Sequence, residues 1–222
     1  MSPKFDADAV AHIHQHLHSH LPSESALRVK ALETLLSRKG LVSSDALDAI
    51  IDTYENKIGP RNGAHVVAKA WTEPEFADWL KQDATAAIHS LGYTSRQGEH
   101  MVAVFNSNEV HHLVVCTLCS CYPWSVLGLP PSWYKSAPFR SRAVIDPRSV
   151  LADFGLNLED DVAVEVHDST AETRYLVIPQ RPQGTQGWSA DQLAGLVSRN
   201  SMIGTALADD PAQTGHPTGN GT

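Results

Sequence analysis

Cysteine is scarce in this chain and confined to one place. Three occur among 222 residues, all within Cys116-Thr117-Leu118-Cys119-Ser120-Cys121. An odd, clustered set cannot supply a disulfide framework, which needs an even number of spread-out thiols. No apolar run reaches membrane-spanning length, and the opening Met1-Ser2-Pro3-Lys4 leads into no signal-peptide apolar core. The sequence therefore reads as cytosolic and not membrane-bound, in a compartment where unpaired thiols persist. Positive charge is also short: the net charge is −8, which argues against non-specific nucleic-acid binding. Phosphate-loop, G-x-G-x-x-G and H-E-x-x-H patterns are missing, and Ser120 lacks the G-x-S-x-G setting of a hydrolase nucleophile. Asp153, Glu165 and Asp168 have no partner visible in the sequence and read as surface or hydrogen-bonded carboxylates.

What is present is a C-x-x-C-x-C run followed by Tyr122-Pro123-Trp124. A C-x-x-C turn can place two thiolates on one ion. The Cys119-Ser120-Cys121 step goes further. If both of its sulfurs bind one metal, the Ser120 and Cys121 amide nitrogens are drawn in, closing five- and six-membered chelate rings. Two sulfurs and two nitrogens then form a square, Cys116 caps one side, and the sixth position stays open, as a catalytic site requires. Deprotonated amides suit low-spin cobalt(III) or iron(III). Zinc gains no ligand-field energy from them and prefers tetrahedral side-chain sites. Thiolates in such a setting are open to oxidation to sulfenic and sulfinic acid. Spacing alone also fits half of a structural zinc site, with His111 or His112 as fourth ligand, or a cluster of buried reduced thiols.

Periodicity sets the frame. With 42% apolar residues in 222, one domain with a real core is expected, with room for an arm or tail. Val10, Ile13, Leu17 and Leu21 recur at helical spacing, and His12, His14, His16, His18 and His20 share that stretch. This His-rich tract reads as a solvated face; a cobalt-gathering role is the sharper alternative. Ser23 is placed to cap a helix that ends near Gly40. Ser44 is placed to cap another that ends at Gly59-Pro60. More helix follows to Ser90, with Trp71 and Trp79 read as core or interface. Strands are expected at 101–106, 110–115, 162–167 and 174–178. A short helix should start at Asp146-Pro147, and Ser189 with Gln192 forms a capping-box pattern. The fold class is α+β: a helical N-terminal arm, then a layered α/β domain with the metal loop at a strand end. The divisions are 1–22, a His-rich arm; 23–95, a helical subunit-contact region; 96–204, the metal-binding domain; and 205–222, a disordered tail.

The stretch Val114-Val115-Cys116-Thr117-Leu118-Cys119-Ser120-Cys121-Tyr122-Pro123-Trp124, with Leu127-Gly128-Leu129-Pro130-Pro131 and Trp133-Tyr134-Lys135 after it, resembles the α subunit of cobalt-type nitrile hydratase. Collinear matches at Tyr54-Glu55-Asn56, Val67 to Trp71, Gln97-Gly98-Glu99, Tyr175 to Pro182 and Gly187 to Gly204 extend the likeness over roughly residues 25–205. The resemblance implies one metal per chain, held by the Cys116, Cys119 and Cys121 sulfurs and the Ser120 and Cys121 amides. It also implies Cys119 as sulfinic and Cys121 as sulfenic acid. Thr117 and Tyr122 match the cobalt(III) pattern better than the iron(III) one. Ser125 departs from the proline expected after Trp124. The implied reaction is nitrile hydration to the amide, by metal-activated water or by the Cys121 sulfenate as nucleophile. Gln97 and Ser120 would hydrogen-bond water or substrate, and Trp124 would wall the pocket. Arginines from a β subunit, an α2β2 assembly and a metal-delivery activator protein are implied too. Thiocyanate hydrolase shares the C-T-L-C-S-C core; Trp124 and the stretch to Pro131 favour nitrile hydratase.

Overall fold

The computed structural model describes residues 24–52, 59–93, 99–119 and 121–213. The chain divides into two compact units, residues 1–51 and 52–222. In the first, α1 spans Glu24–Arg38 and α2 spans Ser44–Asp52. Neither helix has a buried residue. Leu27, Val29, Leu32, Leu35 and Ile50 are all exposed, an unusual concentration of large apolar side chains on solvent. The cap of α2 is Ser43, whose Oγ accepts the Ala46 N–H at 3.3 Å. Of two adjacent serines the sequence points to Ser44, but Ser44 is already the first helical residue. Ser23 and the expected helix through the His tract lie outside the described residues.

The second unit opens with three helices, α3 (Gly59–Thr72), α4 (Pro74–Gln82) and α5 (Ala84–Ser90). Gly59-Pro60 begins a helix here instead of ending one. Proline lacks an N–H, and the first turn of a helix is where that N–H would be unsatisfied anyway. α3 buries a face of small residues, Gly63, Ala64, Val67 and Ala70 among them. A Cβ on Gly63 would stand 2.8 Å from the Val126 carbonyl oxygen, so this face packs directly on the segment after the cysteines.

Four strands follow: β1 (His100–Phe105), β2 (Val110–Val115), β3 (Ala163–Asp168) and β4 (Thr173–Ile178). β1 pairs with β4 and β2 with β3, both in parallel. Parallel pairing requires a long crossover. Between β2 and β3 that crossover holds the cysteine loop, α6 (Trp124–Leu127), a 3₁₀ turn at Ser132–Lys135, α7 (Ala137–Ile145) and α8 (Pro147–Asp153). Leu113, Val114 and Val115 of β2 are fully buried, as are Leu176, Val177 and Ile178 of β4. Both runs are buried on two faces, which is why they read as continuous apolar stretches. Asp146 caps α8 by accepting the Ser149 N–H. The Ser189–Gln192 capping box opens α9 (Ala190–Ala194), and α10 (Arg199–Ile203) follows. Trp71 is half-buried and donates to the Pro179 carbonyl at 2.8 Å, whereas Trp79 is exposed. Residues 205–213, polar enough to read as tail, stay in place: Thr205 is buried and the Asp209 N–H donates to the Leu196 carbonyl at 2.8 Å. Among the described residues no helix is long and apolar enough to cross a membrane.

Candidate metal centre

β2 delivers Cys116 to the edge of the core, and the chain then turns through the cysteine loop. Cys116 is fully buried, Cys121 half-buried and Cys119 exposed. The Sγ atoms of Cys116 and Cys119 stand 3.4 Å apart, and those of Cys119 and Cys121 3.1 Å apart. All three sulfurs lie within 4.8 Å of one another. Zinc–sulfur bonds of about 2.3 Å set the scale, and three sulfurs this close can share one ion. Burial, reinforced by hydrogen bonds from Cys119 and Cys116, pushes the Cys121 thiol up to about 12. A metal taken up here must therefore displace a proton.

The loop is held from four sides. In the β2–β3 register Val115 faces Asp168, so the last residue of β3 lies beside the first turn of the loop. Asp168 accepts the Thr117 N–H at 2.9 Å and the Thr117 hydroxyl at 2.5 Å. Tyr134 donates its hydroxyl to the Cys121 carbonyl at 3.0 Å. Burial raises the Tyr134 phenol, which keeps it protonated and able to donate. Arg140 reaches the Thr117 and Cys119 carbonyls, each at 3.4 Å. Cys119 N–H points at Cys116 Sγ at 3.3 Å.

Arg174, at the start of β4, is 6% exposed and is the cation that acts on Cys121. It donates to the Thr170 carbonyl, and its Nε has no hydrogen-bond partner among the described residues. A buried guanidinium is costly unless negative charge stands near it. Thiolates or their oxidised forms at the cysteine cluster would supply that charge, so the orphaned Nε fits a charged metal centre. Nothing local in the sequence assigns Arg174 or Asp168 to the site: Arg174 reads as the start of a strand and Asp168 as a surface or hydrogen-bonded carboxylate. Arg142 turns elsewhere, to Asp153 at 2.6 Å.

Trp124 begins α6, half-buried against the core. Ser125, where a proline is expected, is buried, and its carbonyl accepts from Asn62 Nδ2 at 3.0 Å. Gln97 and Ser120 lie outside the described residues. Neither His111 nor His112 joins the cysteines. His111 donates Nε2–H to the Gly204 carbonyl at 2.7 Å and faces Asn106 Nδ2 at 3.2 Å. His112 faces β3, with Glu165 as a neighbour at 3.6 Å. A zinc module completed by either imidazole thus has no geometric support among the described residues.

Comparison with known proteins agrees with this arrangement. The α subunit of the high-molecular-weight cobalt-containing nitrile hydratase of Rhodococcus rhodochrous is 56% identical over 192 residues, covering 86% of this chain and 95% of that one. The thiocyanate hydrolase γ subunit of Thiobacillus thioparus is 40% identical over 195 residues, covering 83% and 78%. A double mutant of the iron-type nitrile hydratase of Comamonas testosteroni Ni1 superposes with a TM-score of 0.78 at 38% identity, covering 86% of this chain and 94% of that one. The family model described as nitrile hydratase, alpha chain, matches residues 23–206, and the chain belongs to that family.

Proposed function

We propose that this chain is the metal-bearing α subunit of a cobalt-type nitrile hydratase, which adds water to a nitrile to give the amide. The observation that carries the reading is the convergence of three sulfurs on one point at the end of β2. The metal would be held by Cys116, Cys119 and Cys121 sulfurs with the Ser120 and Cys121 amides, one cobalt(III) per chain. When bound it supplies Lewis-acid polarisation, worth several kcal/mol of charge stabilisation. The protein's own contribution is to fix the loop. Asp168, Tyr134 and Arg140 hold its backbone, and Arg174 offsets negative charge on Cys119 as sulfinic and Cys121 as sulfenic acid. Trp124 walls the pocket, while Gln97 and Ser120 orient water and substrate through hydrogen bonds.

The partner is a β subunit, in an α2β2 assembly whose cobalt arrives through an activator protein. Exposed apolar side chains support this. Leu118 in the loop is 86% exposed and Ile145 on α7 is 81% exposed. Ile145, Thr117 and Arg140 line one shallow concavity beside the cysteines, a surface that a partner would cover. Three clustered cysteines with no disulfide framework suit a reducing cytosol.

Elemental analysis and peptide mass spectrometry of the coexpressed αβ complex test the reading. About one cobalt per chain, two added oxygens on Cys119 and one on Cys121, and amide formation from a nitrile are expected. Zinc with unmodified thiols in an assembled complex would overturn it. Hydrolysis of thiocyanate in place of nitrile hydration would move the chain to the neighbouring activity, which the 40% relative keeps in view.

The same complex tests Asp168. Asp168→Ala removes both bonds to Thr117, and cobalt affinity or turnover should fall about 10–100-fold, the usual cost of losing an outer-shell partner. Asp168→Asn, which keeps one acceptor oxygen, should fall in between. Equal turnover in all three proteins would remove Asp168 from the positioning set.

A further inference from the structure

A second group of ligand-bearing side chains stands apart from the cysteines. His112 on β2 and Glu165 on β3 are register partners. His167 lies two residues further along β3, on the same face of that strand. His112 Nδ1 is 2.9 Å from His167 Nε2 and 3.6 Å from Glu165 Oε2. All three ligand atoms fall within 4.8 Å of one another.

The two rings are held from outside the group. The His112 ring hydrogen-bonds the Phe105 carbonyl, and its backbone N–H donates to Asn106 Oδ1 at 2.8 Å. His167 lies over the Tyr175 ring at 5.0 Å and 33°. An imidazole fixed by a hydrogen bond to a carbonyl is the usual preparation of a metal ligand. Burial lowers both rings from their ordinary value, keeping them in the neutral form that metals bind.

The spacing suits an ion. Two nitrogens each about 2.0–2.1 Å from one metal stand roughly 2.8–3.4 Å apart for angles between a right angle and the tetrahedral one. The 2.9 Å separation of the two imidazoles falls within that range, and the 3.6 Å to the carboxylate lies just beyond it. A hydrogen bond between two neutral imidazoles would explain the shorter distance alone. It gives no reason for a carboxylate to share the same point. The His112 side chain is 12% exposed and that of Glu165 is 58% exposed, so the group is anchored on the buried side and open to solvent at the carboxylate.

We propose that His112, His167 and Glu165 form a binding site for an exchangeable divalent transition metal of the zinc or cobalt(II) class, separate from the cysteine cluster. Two imidazoles and one carboxylate suit those ions. The ion would tie β2 to β3 just before the cysteine loop. His112 lies four residues ahead of Cys116, and His167 adjoins Asp168, so the tie would lock the register that brings Asp168 to Thr117.

The test is zinc binding by the full-length chain, followed by calorimetry and elemental analysis after chelator dialysis. His12, His14, His16, His18 and His20 are replaced by alanine in every protein compared, so that the N-terminal tract cannot contribute. The chain should take up one Zn²⁺ more than its His167→Gln variant, whose affinity at this site should drop by more than the roughly 100-fold upper cost of an outer-shell loss. Glu165→Gln, at an exposed position that folding tolerates, should weaken uptake about tenfold. Zinc should also raise the melting temperature of the parent by more than that of His167→Gln, in which the cysteines remain. Equal zinc uptake in the parent and in Glu165→Gln would overturn the site. So would an absence of uptake by the parent, which would leave a hydrogen-bonded histidine pair only.

Discussion

Cys116→Ala abolishes cobalt retention and lowers nitrile hydration by the assembled enzyme at least about 10³-fold, the several kcal/mol that a Lewis acid supplies. Cys116 is the buried member of the triad, fixed where β2 ends, and the other two sulfurs sit on the loop beyond it. Its Sγ lies 3.4 Å from Cys119 Sγ and accepts the Cys119 N–H. Removing it takes away a ligand and the point against which the loop is folded. The substitution deletes one sulfur from a core position, a small packing loss, so the fold should survive and the effect should be on the metal. Cobalt per chain and amide produced per minute are the readouts, with the circular dichroism spectrum as the control for folding. A Cys116→Ala enzyme that keeps its cobalt and works within tenfold of the parent would remove Cys116 from the ligand set.

Much of the site was legible because its chemistry is local. C-x-x-C-x-C places three sulfurs by chain geometry alone, and the strand before it announces itself as Val110 to Val115, matching β2 end to end. β1 and β3 were each offset by one residue, since polar His100 and Asp168 do not extend an apolar pattern. What could not be read is everything set by register. The parallel pairing brings Asp168 to Thr117 across more than forty intervening residues, and β4 carries Arg174 to Cys121 in the same way. Glu165 reads as partnerless for this reason, yet it faces His112, while Asp153 meets Arg142 where α8 folds back on α7. The misread Gly59-Pro60 has a different cause. Glycine and proline punctuate both ends of helices, and only the burial of α3 shows which end this is. On spacing alone His112 is a candidate fourth ligand for a zinc ion on the cysteines. Alternation along β2 sends it to a different face from His111, which is tied to Gly204.

That last tie leads to the largest expected loss of stability, from Gly204→Ala. Gly204 ends α10 with φ +95°, in the left-handed region. An alanine there costs roughly 1–2 kcal/mol from the backbone alone. The larger penalty is steric. An added Cβ would run into the His112 carbonyl oxygen, with the His112 carbonyl carbon at 2.9 Å and Leu113 Cα at 3.0 Å. These are backbone atoms of β2 itself, held in place by the pairing of β2 with β3, so no side chain can swing aside. To make room α10 must lift away from β2. That breaks the bond from His111 Nε2 to the Gly204 carbonyl and opens the packing around Met202 and Ile203. A loss of about 4 kcal/mol or more is expected, in the exceptional range for a single substitution and a large part of a typical total of 5–15 kcal/mol. Gly92→Ala is the matched control. It has φ +81° and nothing within 4 Å of the added Cβ, so it should lose only the backbone share. Urea unfolding of the two variants separates strain from collision. Because β2 also carries Cys116, whatever Gly204→Ala chain still folds should hold cobalt more weakly than Gly92→Ala. Equal stability losses at the two glycines would mean that α10 and β2 do not meet as closely as the packing of Gly204 on His112 requires.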